Sequence, residues 1–286
     1  MIGILLAGGH GTRLRPITNS ISKQLLPIYD KPMIYYPLSL LMAAKVREFQ
    51  IITTPLQEAL FKDLLRDGSQ WGISIQFVTQ AEPTGIPEAF LLTRKKIVGK
   101  RTILSLGDNL FYGSQMGKKI NDNSGTEGSH IYGYQVNDIS SFGSMTIQNN
   151  KIVNLEEKPK RSDSGYAIPG LYHFDENVTE FCEELKPSAR GELEIVDLLR
   201  KYQEIGKLDY SILDRGTAWL DTGTHEDMFA ASELVRVIQT RQGMLVGSPE
   251  EVAYRNGWIT PDQLEELAAG MTVSPYYKSI LNLLKD

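Results

Sequence analysis

The first residues of the chain join an apolar segment to a group of glycines and then to cations. Residues 2–6, Ile-Gly-Ile-Leu-Leu, have the composition of a buried β-strand. Three glycines follow this strand: Gly8, Gly9 and Gly11. Glycine permits positive φ angles and leaves backbone N–H groups open to an anion. The cations that a polyphosphate requires follow at Arg13, Arg15 and Lys23, so the segment predicts a phosphate-binding loop.

Two common phosphate-binding patterns do not fit this loop. The Walker pattern needs a Lys after its last glycine, and none follows Gly11. A dinucleotide-binding fingerprint needs a third glycine where Leu14 stands, although Asp30 lies at a suitable distance for a ribose contact. Taken alone, the segment is also compatible with an ordinary glycine turn after a strand.

Helices and strands alternate through the first half of the chain. The hydrophobic periodicity predicts helices over 38–46, 59–65 and 89–97, and strands over 50–54, 73–78 and 102–106. This order indicates an α/β fold with a Rossmann-like, doubly wound and mostly parallel sheet. Ligands bind at the carboxyl ends of the strands in such sheets. The glycine loop, residues 80–85 and Asp108 each follow a strand, so we expect them to meet at one edge.

The second half has a different pattern. Strands are predicted over 131–136, 143–147, 151–155, 166–174, 208–213 and 218–220, with connections typical of an antiparallel insertion. Helical periodicity follows through Met228 to Ile238, and capping boxes are predicted at Ser248-Pro249-Glu250-Glu251 and Thr260-Pro261-Asp262-Gln263. We expect an α/β domain over 1–240, with a β insertion at about 110–215, and a helical subdomain over 241–286.

Composition limits the class of protein. The 286 residues are 41% apolar, which is sufficient for a substantial core, and the net charge of −5 argues against a nucleic-acid partner. Cys182 is the single cysteine, is predicted to face the core from a helix, and excludes an internal disulfide. The sequence shows no signal peptide and no apolar run near the ~20 residues that a membrane helix needs. We therefore expect a cytoplasmic enzyme with no membrane partner.

Two carboxylates stand where strands are predicted to end. Asp108 follows an apolar strand and a glycine, and Asp221 follows Trp219-Leu220. Brought together, they would suit Mg²⁺, which prefers oxygen ligands and keeps several waters. Either aspartate could instead cap a helix or stabilise a turn, although Thr224 is also available as a cap after Asp221. The histidines do not have zinc-site spacing: His10, His130, His173 and His225.

Seven motifs occur in order along the chain. They are Leu6-Ala7-Gly8-Gly9-x-Gly11-Thr12-Arg13-Leu14, Ser22-Lys23-Gln24-Leu25-Leu26-Pro27, Lys31-Pro32-Met33-Ile34-Tyr35-Tyr36-Pro37-Leu38, Gly107-Asp108-Asn109, Glu156-Glu157-Lys158-Pro159, Arg190-Gly191-Glu192-Leu193-Glu194-Ile195 and Trp219-Leu220-Asp221-Thr222-Gly223-Thr224. Together they resemble the bacterial glucose-1-phosphate thymidylyltransferases, the sugar-nucleotide pyrophosphorylases that open the dTDP-rhamnose pathway. The resemblance covers nearly the whole chain, to at least Trp258.

The resemblance implies a fold of the nucleotide-diphospho-sugar transferase type and a Mg²⁺-dependent reaction. In it, dTTP and glucose-1-phosphate give dTDP-glucose and pyrophosphate. It assigns catalysis to Arg13, Lys23, Asp108 and Asp221, with the two aspartates binding the metal. It assigns nucleotide binding to Leu6, Gly8, Gly9, Gly11, Thr12, Arg13, Gln80 and Gly85. It assigns the sugar phosphate to Asn109, Gly143, Glu157, Lys158, Ile168, Tyr172 and Arg190.

The resemblance also implies a homotetramer with feedback by dTDP-rhamnose. The residues that match the second nucleotide site of the family are Tyr112, Gly113 and the segment 250–255. All of them are kept in this chain.

The chain departs from the family pattern near both substrates. Gly85-Ile86-Pro87-Glu88-Ala89 stands where Gly-Leu-Ala-Gln-Ala is common, and Thr84 replaces a usual Asp. Gly143-Ser144-Met145-Thr146 stands for Gly-Val-Val-Glu. UTP or another hexose-1-phosphate is therefore an alternative. A non-catalytic paralogue would be expected to lose catalytic charges that are present here, and a retaining glycosyltransferase would need an Asp-x-Asp motif in place of Gly107-Asp108-Asn109.

Overall fold

The computed structural model describes residues 1–160 and 165–285. Its strands are β1 (Ile2–Leu6), β2 (Pro27–Ile28), β3 (Lys31–Pro32), β4 (Glu48–Thr53), β5 (Ser74–Thr79), β6 (Thr102–Leu106), β7 (Leu110–Tyr112), β8 (Ser129–Gly133), β9 (Gly143–Gln148), β10 (Lys151–Glu157), β11 (Tyr166–Ala167), β12 (Leu171–Phe174), β13 (Leu208–Ile212) and β14 (Ala218–Leu220). Its helices are α1 (Tyr35–Ala43), α2 (Glu58–Leu65), α3 (Glu88–Ile97), α4 (Met116–Asp122), α5 (Val178–Glu183), α6 (Ile195–Glu204), α7 (His225–Gln242), α8 (Pro249–Arg255), α9 (Pro261–Ala268) and α10 (Pro275–Asn282). Within these ranges, no helix is both long and apolar enough to cross a membrane.

The central sheet has the strand order β13-β8-β12-β6-β1-β4-β5. Strands β6, β1, β4 and β5 are parallel to one another, and β8 is parallel to β13. Strand β12 is antiparallel to both of its neighbours, β6 and β8. The predicted α/β fold with a mostly parallel sheet is therefore confirmed.

The two faces of the sheet are covered by different helices. Along β1, Ile2 and Ile4 belong to a core that also contains residues of α3, α5 and α6. Leu5 and Ala7 belong to a core on the other face, with residues of α1, α2 and α4. This alternation follows from the two-residue period of a strand. Residues of α8, α9 and α10 lie in the second core, so the C-terminal helices pack on the α/β layers through a shared apolar interior.

Part of the predicted insertion differs from the sequence-based expectation. Strands β9, β10 and β11 form a separate antiparallel sheet in the order β10-β9-β11, whereas β8 and β12 extend the central sheet. The strand expected over 166–174 is interrupted between Ala167 and Leu171, where Pro169 lacks an N–H group for the ladder. Residues 161–164 of the predicted insertion and residue 286 of the predicted tail lie outside the described residues.

The helix caps agree with the sequence at two positions and differ at a third. Thr224 begins α7 with a reciprocal capping box, and Thr260 begins α9 in the same way. At Ser248 the hydroxyl accepts a hydrogen bond from the Glu251 N–H, but the Glu251 carboxylate instead accepts from Arg255 Nε at 2.7 Å. The predicted capping box at Ser248 is therefore wrong in its second half, because an arginine one turn later competes for the carboxylate. Cys182 is buried in α5, as predicted.

Two histidines face each other inside the central sheet. His130 of β8 and His173 of β12 are paired in register, and both are buried. His130 Nε2 lies 2.9 Å from Ser211 Oγ, and His173 Nε2 lies 3.1 Å from the Tyr132 hydroxyl. Burial, and then the neighbouring His130, lower the pKa of His173 to about 3, and burial also lowers the pKa of His130. Both rings are thus neutral in the folded protein near neutral pH.

This pair predicts a loss of stability in mild acid. An unfolded histidine binds a proton below about pH 6.5, whereas folded His173 binds none until about pH 3, so the free energy of unfolding falls as the pH drops through that window. Urea unfolding from pH 7 to pH 5 should show a slope that His173→Gln reduces by about 1 kcal/mol per pH unit on average, and by about 1.4 at the acid end. The exposed His225, changed to Gln, is the control and should leave the slope as it is. An unchanged slope in His173→Gln would contradict the assignment.

Candidate active site

The glycine loop lies at the carboxyl end of β1. Gly11 has φ 57°, and a Cβ placed there would lie 2.9 Å from Thr18 Cγ2, so this position requires glycine. Thr18 holds the loop by donating a hydrogen bond from Oγ1 to the Gly11 carbonyl at 2.7 Å. A Cβ on Gly9 would meet nothing within 4 Å, because this residue faces an open cleft. A ligand can therefore approach the backbone of the loop closely.

The cleft begins at this loop and crosses the edge of the sheet. The predicted nucleotide and sugar-phosphate residues that line it are Leu6, Gly8, Gly9, Gln80, Gly85, Asp108, Glu157, Lys158 and Arg190. A smaller pocket adjoins the cleft and shares Gly9 and Asp108 with it. This phosphate pocket adds Gly11, Thr12, Arg13 and Lys23. The loops that follow β1, β5 and β6 thus meet at one edge of the sheet.

Lys23 connects the two aspartates. Its side chain is buried, with 6% exposure for the residue, and its Nζ donates to Asp108 Oδ2 at 2.7 Å and to the Asp221 carbonyl at 3.3 Å. A Cβ placed on Gly223 would lie 3.1 Å from Arg13 Nη1 and 3.2 Å from Asp221 Oδ2. The Arg13 guanidinium and the Asp221 carboxylate therefore both lie close to Gly223. All four predicted catalytic residues come together in one place.

A short β-ribbon brings the two aspartates together. Strands β7 and β14 are antiparallel, and Leu110 pairs with Leu220, so residues 108–109 before the first strand lie beside residues 221–222 after the second. Thr222 secures this junction, since its Oγ1 donates to the Asp108 carbonyl at 2.6 Å. Thr224 caps α7, so Asp221 is not needed for that task. The interpretation of Asp221 as the cap of this helix is therefore not supported.

Asp221 lies in a partly buried and negatively charged environment. Burial raises the pKa of its carboxyl above the usual range, and the nearby carboxylates of Asp227 and Asp108 add to this effect. Lys23 and Arg13 act in the opposite direction without cancelling it. The two site aspartates therefore repel each other, and a cation between them would relieve that repulsion.

Gln80 and Gly85, which the sequence predicts to contact the base, lie together in the wall of the cleft. Gln80 follows β5, and its N–H donates to the Thr53 carbonyl at 2.8 Å. Gly85 has φ 117° and forms a parallel bridge with Leu193, where a Cβ would lie 2.0 Å from the Leu193 carbonyl oxygen. The Leu193 N–H donates to the Thr84 carbonyl at 2.7 Å. Only glycine fits at position 85, and the loop that contains Arg190 is attached there.

Arg190 is held by carboxylates on the other side of the cleft. Its Nη2 and Nε donate to Glu194 at 2.6 and 3.1 Å, and its Nη2 reaches Glu157 Oε1 at 3.3 Å. Lys158 Nζ lies 3.9 Å from the same Glu157 oxygen. Burial raises the pKa of Glu157, which Lys158 opposes and Glu194 supports. Arg190 is thus anchored by Glu194, and its contact with Glu157 is the longer one.

Four predicted sugar residues lie behind the cleft wall. Asn109 is 2% exposed and uses its side chain internally: Oδ1 accepts from Trp219 Nε1 at 2.7 Å and from the Gly170 N–H at 3.1 Å, and Nδ2 donates to Asp108 Oδ1 at 2.9 Å. Ile168 and Tyr172 are buried, and Gly143 pairs with Glu157 in the antiparallel sheet. These side chains are not among the residues that line the cleft.

Other residues of the cleft were not assigned a role from the sequence. They include Gln24, Pro83, Ile86, Glu192 and Glu194. The spacing of Glu194 four residues after Arg190 carried a signal, since this spacing pairs opposite charges. Gln24 lay within a recognised motif but had no charge to single it out.

The chain is similar along most of its length to known nucleotidyl transferases. Residues 2–237 match the family model for nucleotidyl transferases. The glucose-1-phosphate thymidylyltransferase of Neisseria meningitidis serogroup A is 48% identical over 287 residues, covering 100% of both chains. That of Xanthomonas campestris pv. campestris is 48% identical over 285 residues, covering 99% of this chain and 97% of the relative. The crystal structure of a candidate enzyme of this name from Bacillus anthracis, in complex with sucrose, is 37% identical, with a TM-score of 0.76 over 82% of this chain and 96% of that one.

The fold, the convergent cleft and the family match define an enzyme of the nucleotidyltransferase class. Within this class, the identity and coverage of the curated relatives are high along the full length. The chain belongs to the glucose-1-phosphate thymidylyltransferase family, as its motifs indicated.

The placement of Asn109 generates a prediction about stability. Asn109→Ala would leave the buried Trp219 Nε1–H and Gly170 N–H without an acceptor, so we expect the free energy of unfolding to fall by about 2–4 kcal/mol. Urea unfolding at pH 7 is the measurement. Asn154→Ala, at an exposed position of β10, is the control and should change it by less than about 0.5 kcal/mol. Equal stabilities of the two variants would rule out this structural role.

Proposed function

We infer that the enzyme transfers a thymidylyl group from dTTP to glucose-1-phosphate, which gives dTDP-glucose and pyrophosphate. The main supporting observation is the convergence of Arg13, Lys23, Asp108 and Asp221 beside the glycine loop, at one end of a cleft whose other side carries Arg190. Two anionic substrates need such separate groups of cations. The names of the Neisseria and Xanthomonas relatives support the choice of substrates. Because the product is dTDP-glucose, we place the reaction at the start of dTDP-rhamnose and related deoxysugar synthesis.

The proposed reaction needs no nucleophile from the protein. An oxygen of the sugar phosphate attacks the α-phosphorus of the triphosphate, and the bond from that phosphorus to the bridging oxygen breaks as pyrophosphate leaves. The attacking phosphate is already an anion, so the protein has to align two anions and stabilise the charge between them. The glycine loop holds the triphosphate by its backbone N–H groups.

The cations of the phosphate pocket have distinct tasks in this proposal. Arg13, on the far side of the loop, contacts the β- and γ-phosphates and stabilises pyrophosphate as it leaves. Lys23 contacts both the attacking phosphate and the α-phosphate. Its bond to Asp108 fixes the position of the ammonium group before the substrates bind, so little reorganisation is required.

The two aspartates fit a divalent cation of the Mg²⁺ type. Their oxygens are the hard ligands that Mg²⁺ prefers, and the pKa of Asp221 is raised by burial and then by the carboxylates of Asp227 and Asp108, so a bound cation would stabilise its charged form. In residues 1–160 and 165–285, His, Cys, Asp and Glu form no cluster of three or more suited to a metal. When bound, Mg²⁺ would neutralise charge on the reacting phosphates.

The sugar phosphate is proposed to bind between Arg190, Lys158 and Glu157. Arg190 remains fixed by Glu194 and exchanges its longer contact with Glu157 for the incoming phosphate. Glu157 is then free to accept hydrogen bonds from sugar hydroxyls, and Lys158 adds a second positive charge. Asn109, Gly143, Ile168 and Tyr172 shape the wall behind the hexose in this proposal.

Two alternative functions are tested by the same experiment. The first alternative is an enzyme that uses UTP or another hexose-1-phosphate. It is suggested by the altered residues Thr84 and Ile86-Pro87-Glu88, because Ile86 lines the cleft and Glu88 contacts Gln80. The second is a non-catalytic paralogue that binds sugar nucleotides. All four proposed catalytic side chains are present and lie close together, which argues against the non-catalytic paralogue.

The deciding experiment is a pyrophosphate-release assay with Mg²⁺. It crosses dTTP and UTP with the 1-phosphates of glucose, galactose and N-acetylglucosamine. We expect turnover of dTTP with glucose-1-phosphate and its loss in Asp108→Asn. Lys23→Met should lower kcat/KM by about 10²- to 10³-fold, because a preorganised cation is lost from the transition state. Lys118→Met, at an exposed position of α4, is the matched control. Turnover of another pair alone would establish the first alternative, and silence throughout would establish the paralogue.

We also propose that the enzyme is a homotetramer with feedback inhibition by dTDP-rhamnose near Tyr112, Gly113 and α8. Exposed apolar side chains on α7, Phe229 at 69% and Val237 at 46%, support burial against a second copy. Analytical ultracentrifugation should give four times the 32.1 kDa of the chain. Initial rates should fall with added dTDP-rhamnose and resist it in Tyr112→Ala. A monomeric mass removes the first proposal, and indifferent rates remove the second.

A further inference from the structure

Glu88 contacts the side chain of Gln80, on the proposed base side of the cleft. It is the first residue of α3, where a carboxylate is stabilised by the helix dipole. Its Oε2 accepts hydrogen bonds from Gln80 Nε2 and from Thr84 Oγ1, and the Thr84 N–H lies 3.4 Å away. One oxygen of Glu88 thus gathers donors from both ends of the loop that follows β5.

This contact fixes which end of the Gln80 amide faces the cleft. A carboxylate offers only acceptor oxygens, so the NH₂ group of Gln80 has to point toward Glu88. The amide oxygen then points the other way, and Oε1 lies 3.1 Å from the position that a Cβ on Gly8 would take. In the described part of the chain, no hydrogen bond reaches this oxygen. Gln80 therefore presents a free acceptor at the base end of the cleft.

The orientation of this acceptor distinguishes between pyrimidines. Thymine and uracil carry an N3–H donor on their pairing edge, which an amide oxygen accepts. Cytosine carries an unprotonated N3, which would face the same oxygen as a second acceptor and leave both unpaired. A site that hydrogen-bonds one ligand group rejects an analogue that lacks it.

We propose that Glu88 is the residue that sets pyrimidine selection, because it locks the Gln80 amide in the orientation that accepts from an imide N–H. This proposal rests on the proposed function, in that the cleft takes a pyrimidine triphosphate. Glu88 does not contact the base itself and acts through Gln80, so it is a positioning residue.

The surrounding loop does not depend on Glu88 for its fold. The Gln80 N–H is held by the Thr53 carbonyl, and the Leu193 N–H is held by the Thr84 carbonyl. Gly85 adds the bridge to Leu193. Glu88→Gln is nearly isosteric, so it changes the hydrogen-bonding character at position 88 and leaves these backbone contacts in place. The amide that this substitution introduces can donate or accept, so Gln80 could then turn either end toward the cleft.

The test compares dTTP with CTP in three variants of the full-length enzyme, with glucose-1-phosphate and Mg²⁺ held constant. In Glu88→Gln, we expect the preference for dTTP over CTP in kcat/KM to fall about tenfold, with the change in KM rather than kcat. Thr84→Val removes one donor to Glu88 but keeps the Gln80 contact, and its preference should match the wild type. The double variant Thr84→Asp/Glu88→Gln returns a carboxylate beside Gln80 and should restore the preference.

The outcomes separate this proposal from the proposed function. A wild-type enzyme that turns over dTTP, together with an unchanged dTTP-to-CTP preference in Glu88→Gln, overturns the role of Glu88 alone. If the wild type turns over neither nucleotide, the proposed function fails, and calorimetric binding of dTTP and CTP then measures the same preference. An equal loss of preference in Thr84→Val would show a general effect of the loop and would also overturn the role of Glu88. Should Glu88→Gln not fold, the double variant and Thr84→Val are compared in its place, and a loss of preference in both overturns it.

Discussion

The antiparallel pairing of β7 with β14 is the constraint on which the site depends. The two strands are separated by more than one hundred residues of chain, yet their register brings the segment that contains Asp108 beside the segment that contains Asp221. Burial, and then the nearby carboxylates of Asp227 and Asp108, raise the pKa of Asp221, so a cation nearby stabilises its charged form. Lys23 supplies that cation from a third segment and contacts both residues. The sheet topology and the balance of charge therefore create one cluster, formed by Asp108, Asp221 and Lys23, on which the proposed phosphate chemistry depends.

Around this cluster, the loops at the ends of the strands supply the residues that are proposed to contact the substrates. The carboxyl ends of β1, β5 and β6 supply the glycine loop, Gln80 and Asp108, as expected for a parallel sheet. The antiparallel sheet adds Glu157 and Lys158 from the side. Backbone positions without side chains, at Gly9 and Gly85, leave room for a ligand and for a neighbouring loop respectively.

Much of this arrangement was predictable from the sequence, and the exceptions have physical causes. Strand β6 and strand β14 have the predicted bounds, because short apolar runs between turn residues have few alternatives. The membership of β8 and β12 in the central sheet was missed, since local patterns do not encode which distant strand will be the neighbour. Asn109 was associated with the sugar through its motif, but its hydrogen bonds to Trp219 and Gly170 arise only from tertiary packing. Likewise, no sequence pattern indicates that Glu88 contacts Gln80.

The bridge between Gly85 and Leu193 joins the two halves of the cleft mechanically. On one side of this contact stands the loop with Gln80, and on the other stands the loop that carries Arg190. The backbones lie so close that a single methyl group would not fit between them. A change in the length of either loop would therefore move both. The proposed base site and the proposed sugar-phosphate site are in this way geometrically coupled, so a change of specificity for one substrate in this scaffold has to preserve the position of the loop proposed to hold the other.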